Sequence, residues 1–183
     1  MAAALLERRF RERGFDVAVE SAGRLPGGSA MTAEGLEVMR EHGLDLGRHR
    51  SREATPAQVG DADLVLGMTR EHLRDAATLA PDVVPRVFTL KELVRRGEAI
   101  GPRGPEEPLR DWLARAAAGR RTPDLLGSSP DDDVPDPIGR PLSRYRAVAD
   151  EIAAATEQLV DLAWPEGPGA GAGGSRDAEA GAG

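Results

Sequence analysis

Few residues of this chain have the types and spacing that catalysis requires. The chain has no cysteine, so disulfides, thiolate metal sites and cysteine nucleophiles are excluded within its 183 residues. Its three histidines lack the spacing of a metal site, and neither a G-x-S-x-G nor a G-x-x-x-x-G-K-S/T motif is present. Among the carboxylic acids, Asp136 precedes Pro137 and follows the acidic run 131–133. An aspartate can in general protonate a leaving group, but an Asp-Pro pair in this setting is by itself more typical of a turn.

The elements that would position such a group alternate between helices and strands. Apolar spacing and capping residues predict helices over 2–13 and 32–42, a short helix from Thr55, another after Thr69, and a long one from Leu142. Short β-branched runs predict strands over 16–21, 64–68 and 86–90. This order indicates a parallel α/β sheet with right-handed crossovers. In such folds a first strand and a phosphate-binding loop usually precede the first helix, so we expect a segment upstream of Met1.

The domain organisation follows from composition. Residues 1–163 are predicted to form one domain, which carries an excursion over 97–133 that is rich in Pro, Gly, Arg and Asp. A short apolar island at 109–113 predicts one helix within this excursion, which we expect to be peripheral. Residues 164–183 form a Gly/Ala/Pro-rich tail that cannot build a core and is expected to be disordered.

Charge and hydropathy exclude several classes of partner. The net charge of −7 opposes general nucleic-acid binding and attraction to an anionic membrane surface. No apolar run approaches the ~18 residues that span a bilayer, and the first residues lack the charge order of a secretory signal. We therefore expect a cytoplasmic protein without nucleic-acid or membrane partners, and the sequence suggests no cofactor or metal.

Five ordered stretches carry a family resemblance. They are MAAALL at 1–6, VESAG at 19–23, HGLDL at 42–46, ADLVLGM at 62–68 and VPDPIG at 134–139. In this order they resemble the low-molecular-weight protein-tyrosine phosphatases, over residues 1 to about 163. The resemblance implies a phosphotyrosine protein phosphatase I-like fold, three-layer α/β/α with a small parallel sheet of four strands, whose first strand is absent here. It also implies that a C-x-x-x-x-x-R-S/T loop, with the nucleophile and the phosphate-binding arginine, lies upstream of Met1.

The resemblance assigns roles to three residues. Asp136 matches the general acid, which protonates the departing oxygen and later activates water. Ser21 matches a serine beneath the phosphate loop, although a serine at a strand end can equally satisfy a nearby backbone group. His49 matches a histidine that braces the same loop, and a solvated basic loop is an equally good interpretation. Ile138 and Gly139 stand where family members often carry aromatic residues, so the resemblance does not extend to selectivity for phosphotyrosine.

The function that the resemblance implies is hydrolysis of phosphomonoesters through a cysteine phospho-intermediate and an aspartate acid. The substrate would be a phosphotyrosine protein or another small phosphomonoester. The chain is expected to be inactive as encoded unless it extends upstream of Met1. It is also expected to fold poorly, because a lost interior strand removes several side chains that contribute ~1.5–3 kcal/mol each, against a total stability of ~5–15 kcal/mol.

Two other functions stay open at this point. If Met1 is the true start, the chain would be a non-catalytic binding or regulatory relative that takes its missing strand from a partner. Arsenate reduction on the same fold is less favoured, because it needs a second cysteine within a chain that has none.

Overall fold

Two short parallel strands and the helices around them form the body of the protein. The computed structural model describes residues 1–24, 26–121 and 127–165. In chain order the elements are α1 (Ala2–Glu12), α2 (Ala33–Glu41), α3 (Pro56–Asp61), β1 (Val65–Gly67), α4 (Arg70–Leu79), a 3-10 helix (Pro81–Arg86), β2 (Val87–Thr89), α5 (Leu90–Ile100), α6 (Leu109–Ala117) and α7 (Leu142–Ala163). These elements confirm the predicted α/β class and the predicted positions of α1 to α4, β1, β2 and α7.

The sheet joins β1 to β2 in parallel, with Val65 opposite Val87 and Gly67 opposite Thr89. Helix α4 and the 3-10 helix make the crossover between them. All three residues of β2 are buried, whereas Val65 and Leu66 of β1 are only half-buried. Within the described residues, β1 pairs with β2 alone.

The strand predicted over 16–21 does not form. The side chains still alternate there, with Val17 and Val19 half-buried and Asp16, Ala18 and Glu20 exposed, so the β pattern of the sequence gives an extended chain. A strand also needs a hydrogen-bonded neighbour, and no described residue pairs with this segment. The first bridge comes only at Gly23, which pairs in parallel with Glu53.

Helix α7 is the centre of the core. It packs on α1, α2 and α5, and its inner face buries Tyr145, Ile152 and Leu159. The amphipathic period of 142–163 places these residues on one side of the helix. Burial of side chains of this size stabilises the fold by ~1.5–3 kcal/mol each.

Helix α6 corrects the expectation that the segment around 109–113 is peripheral. Trp112 is completely buried in the main core, and its Nε1 donates a hydrogen bond of 3.0 Å to the carbonyl of Gly101. Gly97 makes room for the ring, because a Cβ there would lie 3.0 Å from Trp112 Cζ2. The sequence does not predict α5, since Gly97 in its last turn marks a loop.

The predicted domain bounds are not tested by these elements. The tail lies outside the described residues apart from Trp164 and Pro165, and so do residues 122–126 of the excursion. Within the described residues, no helix is long and apolar enough to cross a membrane.

Candidate active site

A cavity of about 420 Å³ opens at the N-terminal end of α1. Its walls come from the first two turns of α1, from residues 19–21 and from the loop 46–52. Ser21 and His49 both line it. The structure therefore brings together two of the three residues that the sequence analysis selected, although they are 28 positions apart in the chain.

Positive charge dominates this cavity. Arg48, Arg50 and Arg52 line it together with Met1, beside the positive end of the α1 dipole. In residues 1–183 the α-ammonium group of Met1 adds to this charge, and burial lowers its pKa. The two carboxylates in the wall have other partners, since Glu7 pairs with Arg11 and Glu20 accepts a hydrogen bond from Gln58. The arrangement favours an anion in the cavity.

His49 is held in its neutral form by the same surroundings. Burial is the largest cause that lowers the pKa of its imidazole, followed by the positive charges of the Met1 ammonium group, Arg52 and Arg50. A neutral imidazole has one nitrogen that donates a hydrogen bond and one that accepts. His49 can therefore support a neighbouring loop from this position.

The backbone of loop 46–52 is fixed by the segment that precedes α2. The amide of Ser51 donates to the carbonyl of Ser29 at 2.9 Å, and the Ser51 hydroxyl accepts from the Ser29 amide at 3.0 Å. The amide of Gly28 donates to the Ser51 carbonyl at 2.8 Å. Gly27 is required beside them, because a Cβ there would lie 2.9 Å from the Ser51 carbonyl oxygen. The basic residues of the wall thus stand on a defined loop.

Asp136 does not line the cavity. It is exposed, and its Oδ1 accepts a hydrogen bond of 2.9 Å from the amide of Ile138. Two residues earlier, the amide of Val134 donates to the carbonyl of Met68 at 2.7 Å, and Met68 directly follows β1. Asp136 is therefore tethered to the carboxyl end of the sheet, which is the edge where ligands bind in open parallel α/β folds.

Two carboxylates from the acidic run 131–133, to which the sequence assigned no role, fix the segment before Asp136. We name residues 129–138 the acid loop. The Asp132 side chain accepts from Arg95 at 3.0 and 3.1 Å and from Arg70 at 3.2 Å. Asp133 accepts from the backbone amides of Arg70 and Ser129, each at 2.9 Å.

The ionisation of Asp132 reflects these partners. Burial opposes its negative charge, but the hydrogen bonds from Arg95 and Arg70 outweigh burial and lower the pKa of the carboxyl group. Only 2% of the residue is exposed. Nothing in the sequence distinguishes Asp132 from the exposed Asp131 beside it, because its partners come from α4 and α5.

The family of this chain is shown by its sequence. The profile described as low molecular weight phosphotyrosine protein phosphatase matches residues 1–105, which is more than half of the 183 residues. The chain belongs to this family, and the resemblance in the sequence is confirmed. It is a member of a family of protein phosphatases, which are hydrolases.

Two similar proteins are described by different activities within that family. A protein-arginine-phosphatase from Geobacillus stearothermophilus is 28% identical over 162 residues, which are 88% of this chain and 84% of the relative. The probable low molecular weight protein-tyrosine-phosphatase EpsP from Ralstonia solanacearum is 34% identical over 93 residues, which are 51% of this chain and 62% of that protein.

Solved structures confirm the fold. A low molecular weight protein tyrosine phosphatase from T. tengcongensis superposes with a TM-score of 0.64 and 26% identity, over 87% of each chain. A Cys-to-Ser variant of the YwlE arginine phosphatase with a phosphorylated active-site serine superposes with a TM-score of 0.64 and 27% identity, over 88% of this chain and 84% of that one.

Proposed function

We propose that this chain is the scaffold and acid of a phosphatase whose cysteine loop precedes Met1 and occupies the cavity at the start of α1. The observation that supports this most directly is the cavity itself. It is lined by arginines and by the N-terminal turn of the first helix, which are groups that stabilise a phosphate or a thiolate. Cysteine is missing from all 183 residues.

The unpaired backbone around the cavity supports the same proposal. Residues 15–20 are extended without a strand partner, and β1 pairs on one side only within the described residues. Val17, Val19 and Leu66 of β1 contact the same apolar cluster. A strand inserted between 15–20 and β1 would pair with both and would end at the cavity, from which a loop would lead into α1.

The proposed reaction has two steps. The thiolate of the upstream loop attacks phosphorus, the bond from phosphorus to the leaving oxygen breaks, and Asp136 gives that oxygen its proton. Asp136, now a carboxylate, then takes a proton from the water that attacks the phosphorus of the phosphocysteine; the phosphorus–sulfur bond breaks, the thiolate is restored, and inorganic phosphate leaves. Ser21 and His49 act on the loop, which they support from the cavity wall, and they do not react.

A protein phosphoarginine substrate is a second candidate beside a phosphotyrosine protein or a small phosphomonoester. A relative that matches 88% of this chain is a protein-arginine-phosphatase. Ile138 follows the Asp-Pro pair and is 67% exposed, so the residue that would face the substrate is aliphatic. An aliphatic side chain does not offer the aromatic stacking that favours a phenyl ring.

The proposal is tested by assaying residues 1–183 beside the extended protein that includes the upstream segment. We expect the extended protein to hydrolyse an aryl phosphate or a phosphoarginine protein, and residues 1–183 to remain at background, because loss of the nucleophile can reduce the rate ~10⁶-fold. Hydrolysis by residues 1–183 alone would refute the cysteine mechanism. Binding of a phosphoprotein without hydrolysis in either protein would favour the non-catalytic alternative.

Asp136→Asn in the extended protein tests the acid. We expect kcat to fall by ~10²–10⁴. Asp131→Asn is the matched control, because Asp131 is an exposed aspartate of the same acid loop and the change removes the same charge. Equal rates in the two variants would refute the role of Asp136.

A further inference from the structure

The acid loop is anchored to two helices immediately before Asp136. Asp132 accepts hydrogen bonds from Arg95 on α5 and from Arg70 at the start of α4. Asp133 accepts from the Arg70 amide at 2.9 Å and so caps α4, whose own N-cap, Thr69, forms no side-chain cap. The loop and the two helices are therefore joined at one point.

The contact with Arg95 fixes orientation as well as position. Arg95 Nε lies 3.0 Å from Oδ1 of Asp132, and Nη2 lies 3.1 Å from Oδ2. Two parallel hydrogen bonds hold the carboxylate and the guanidinium group in one plane. Because Asp132 is almost fully buried, water competes little for these bonds.

The path from Asp132 to Asp136 is short and stiff. Val134 is buried in the main core and bonds to Met68. Pro135 and Pro137 flank Asp136, and proline fixes the backbone angle φ at each position. The Asp136 side chain is held by its hydrogen bond to the Ile138 amide. Little freedom separates the buried anchor from the exposed carboxylate.

We propose that Asp132, held by Arg95 and Arg70, is the positioning residue that sets the place of the Asp136 carboxyl group relative to the substrate's leaving group. This inference depends on the proposed function, in which Asp136 is the acid. The interaction does more than hold two helices together, since it joins them to the segment that leads into Asp136. A shift of about 1 Å at such a group can reduce a rate ~10²-fold.

Glu92, which lies on α5 as Arg95 does, provides a matched comparison. It is also a buried carboxylate, 4% exposed, and it is held by Arg96 at 2.9 Å and by Arg120 at 3.2 Å. Its arginine partners lie on α5 and after α6, away from the acid loop. Glu92→Gln therefore disturbs a buried ion pair of α5 without touching the segment before Asp136.

The test compares substrates with different leaving groups in the extended protein. Phenyl phosphate needs a proton on its leaving oxygen more than p-nitrophenyl phosphate does, because the nitrophenolate anion is more stable. kcat/KM reports the step in which the leaving group departs. We expect Asp132→Asn to lower kcat/KM for phenyl phosphate at least ~10-fold more than for p-nitrophenyl phosphate, because it impairs the acid. Glu92→Gln should lower both values equally.

Arg95→Lys is the second variant, since the Arg95 side chain is 55% exposed and its replacement keeps the positive charge while removing the two parallel hydrogen bonds. It should give the same leaving-group dependence in weaker form. Equal losses on both substrates in Asp132→Asn and Arg95→Lys would overturn the inference. Asp136→Asn in the same assay separates the two claims, because the absence of a leaving-group effect there would refute the acid itself, and the positioning role with it.

Discussion

At the scale of single residues, burial and the positive charge around the cavity both favour the neutral form of the His49 imidazole. The imidazole lies among the Met1 ammonium group, Arg50 and Arg52, and its pKa is lowered first by burial and then by these charges. In the unfolded chain a histidine titrates near pH ~6.5. Because the folded state binds its proton less readily, the unfolded state takes up more protons below that pH, and stability falls as pH decreases from about 6.5 through the folded pKa.

Replacement of His49 should remove that part of the pH dependence. Between pH ~6.5 and ~5, we expect the free energy of unfolding to decrease less in the His49→Gln variant than in the parent protein. Chemical denaturation at several pH values measures this difference. His72→Gln is the control, because His72 is exposed on α4 outside the cavity. A parent and a His49→Gln variant with parallel pH profiles would contradict the placement of His49.

At the scale of elements, the sequence predicts whichever segments carry their own signal. Helices α1, α2 and α7 were predictable from apolar spacing, and α2 from its N-cap Thr32, whose hydroxyl accepts from the Gly35 amide at 3.2 Å. The prediction of a strand over 16–21 was wrong, because a strand requires a hydrogen-bonded neighbouring strand and no described residue supplies one. The anchor at Asp132 was missed, because it depends on partners 37 and 62 positions away.

Helix α6 shows the same limit. A Gly- and Pro-rich surrounding sequence favours a peripheral position for this helix, but a buried Trp112 needs a hydrogen-bond acceptor, and the core and Gly101 provide for both. Gly97, which by residue type favours a loop, lies in the last turn of α5. Its small size is what lets the Trp112 ring pack against α5.

A larger residue at Gly97 should destabilise this contact. In the extended protein we expect Gly97→Val to lower the free energy of unfolding by about 1–3 kcal/mol, the usual effect of overpacking. A side chain there would press on Trp112 and on Leu162 Cδ1, which lies 3.0 Å from the position of the added Cβ. Ala99→Val on the exposed face of α5 is the control and should change stability by less than ~0.7 kcal/mol. Equal urea midpoints for the two variants would show that α6 does not pack as described.

At the scale of the whole molecule, the core lies beside a short sheet and a cavity. The core joins α1, α2, α5, α6 and α7, yet the sheet has only two strands within the described residues, and the cavity lies where α1 begins. The family and its α/β fold were predictable from five short stretches in order. The site was predictable in part, since Ser21 and His49 share the cavity whereas Asp136 stands outside its wall.

The strand that we propose to precede Met1 should contribute to stability. We expect residues 1–183 alone to unfold at a much lower urea concentration than the extended protein, because an interior strand contributes several buried side chains at ~1.5–3 kcal/mol each. Amide exchange should be fastest in residues 15–20, which have no strand partner among the described residues, and faster in β1, which pairs there on one side only, than in the buried helices. Equal stability of the two proteins would argue that nothing needs to fill the cavity.

The proposed phosphatase mechanism depends most directly on what precedes Met1 in the natural protein. Peptide mass spectrometry of the protein purified from its own cells would determine this. We predict peptides that extend upstream through a C-x-x-x-x-x-R-S/T sequence and continue into residues 1–12. A natural terminus at Met1 or Ala2 would contradict the phosphatase mechanism and would leave a binding protein that takes its missing strand from a partner.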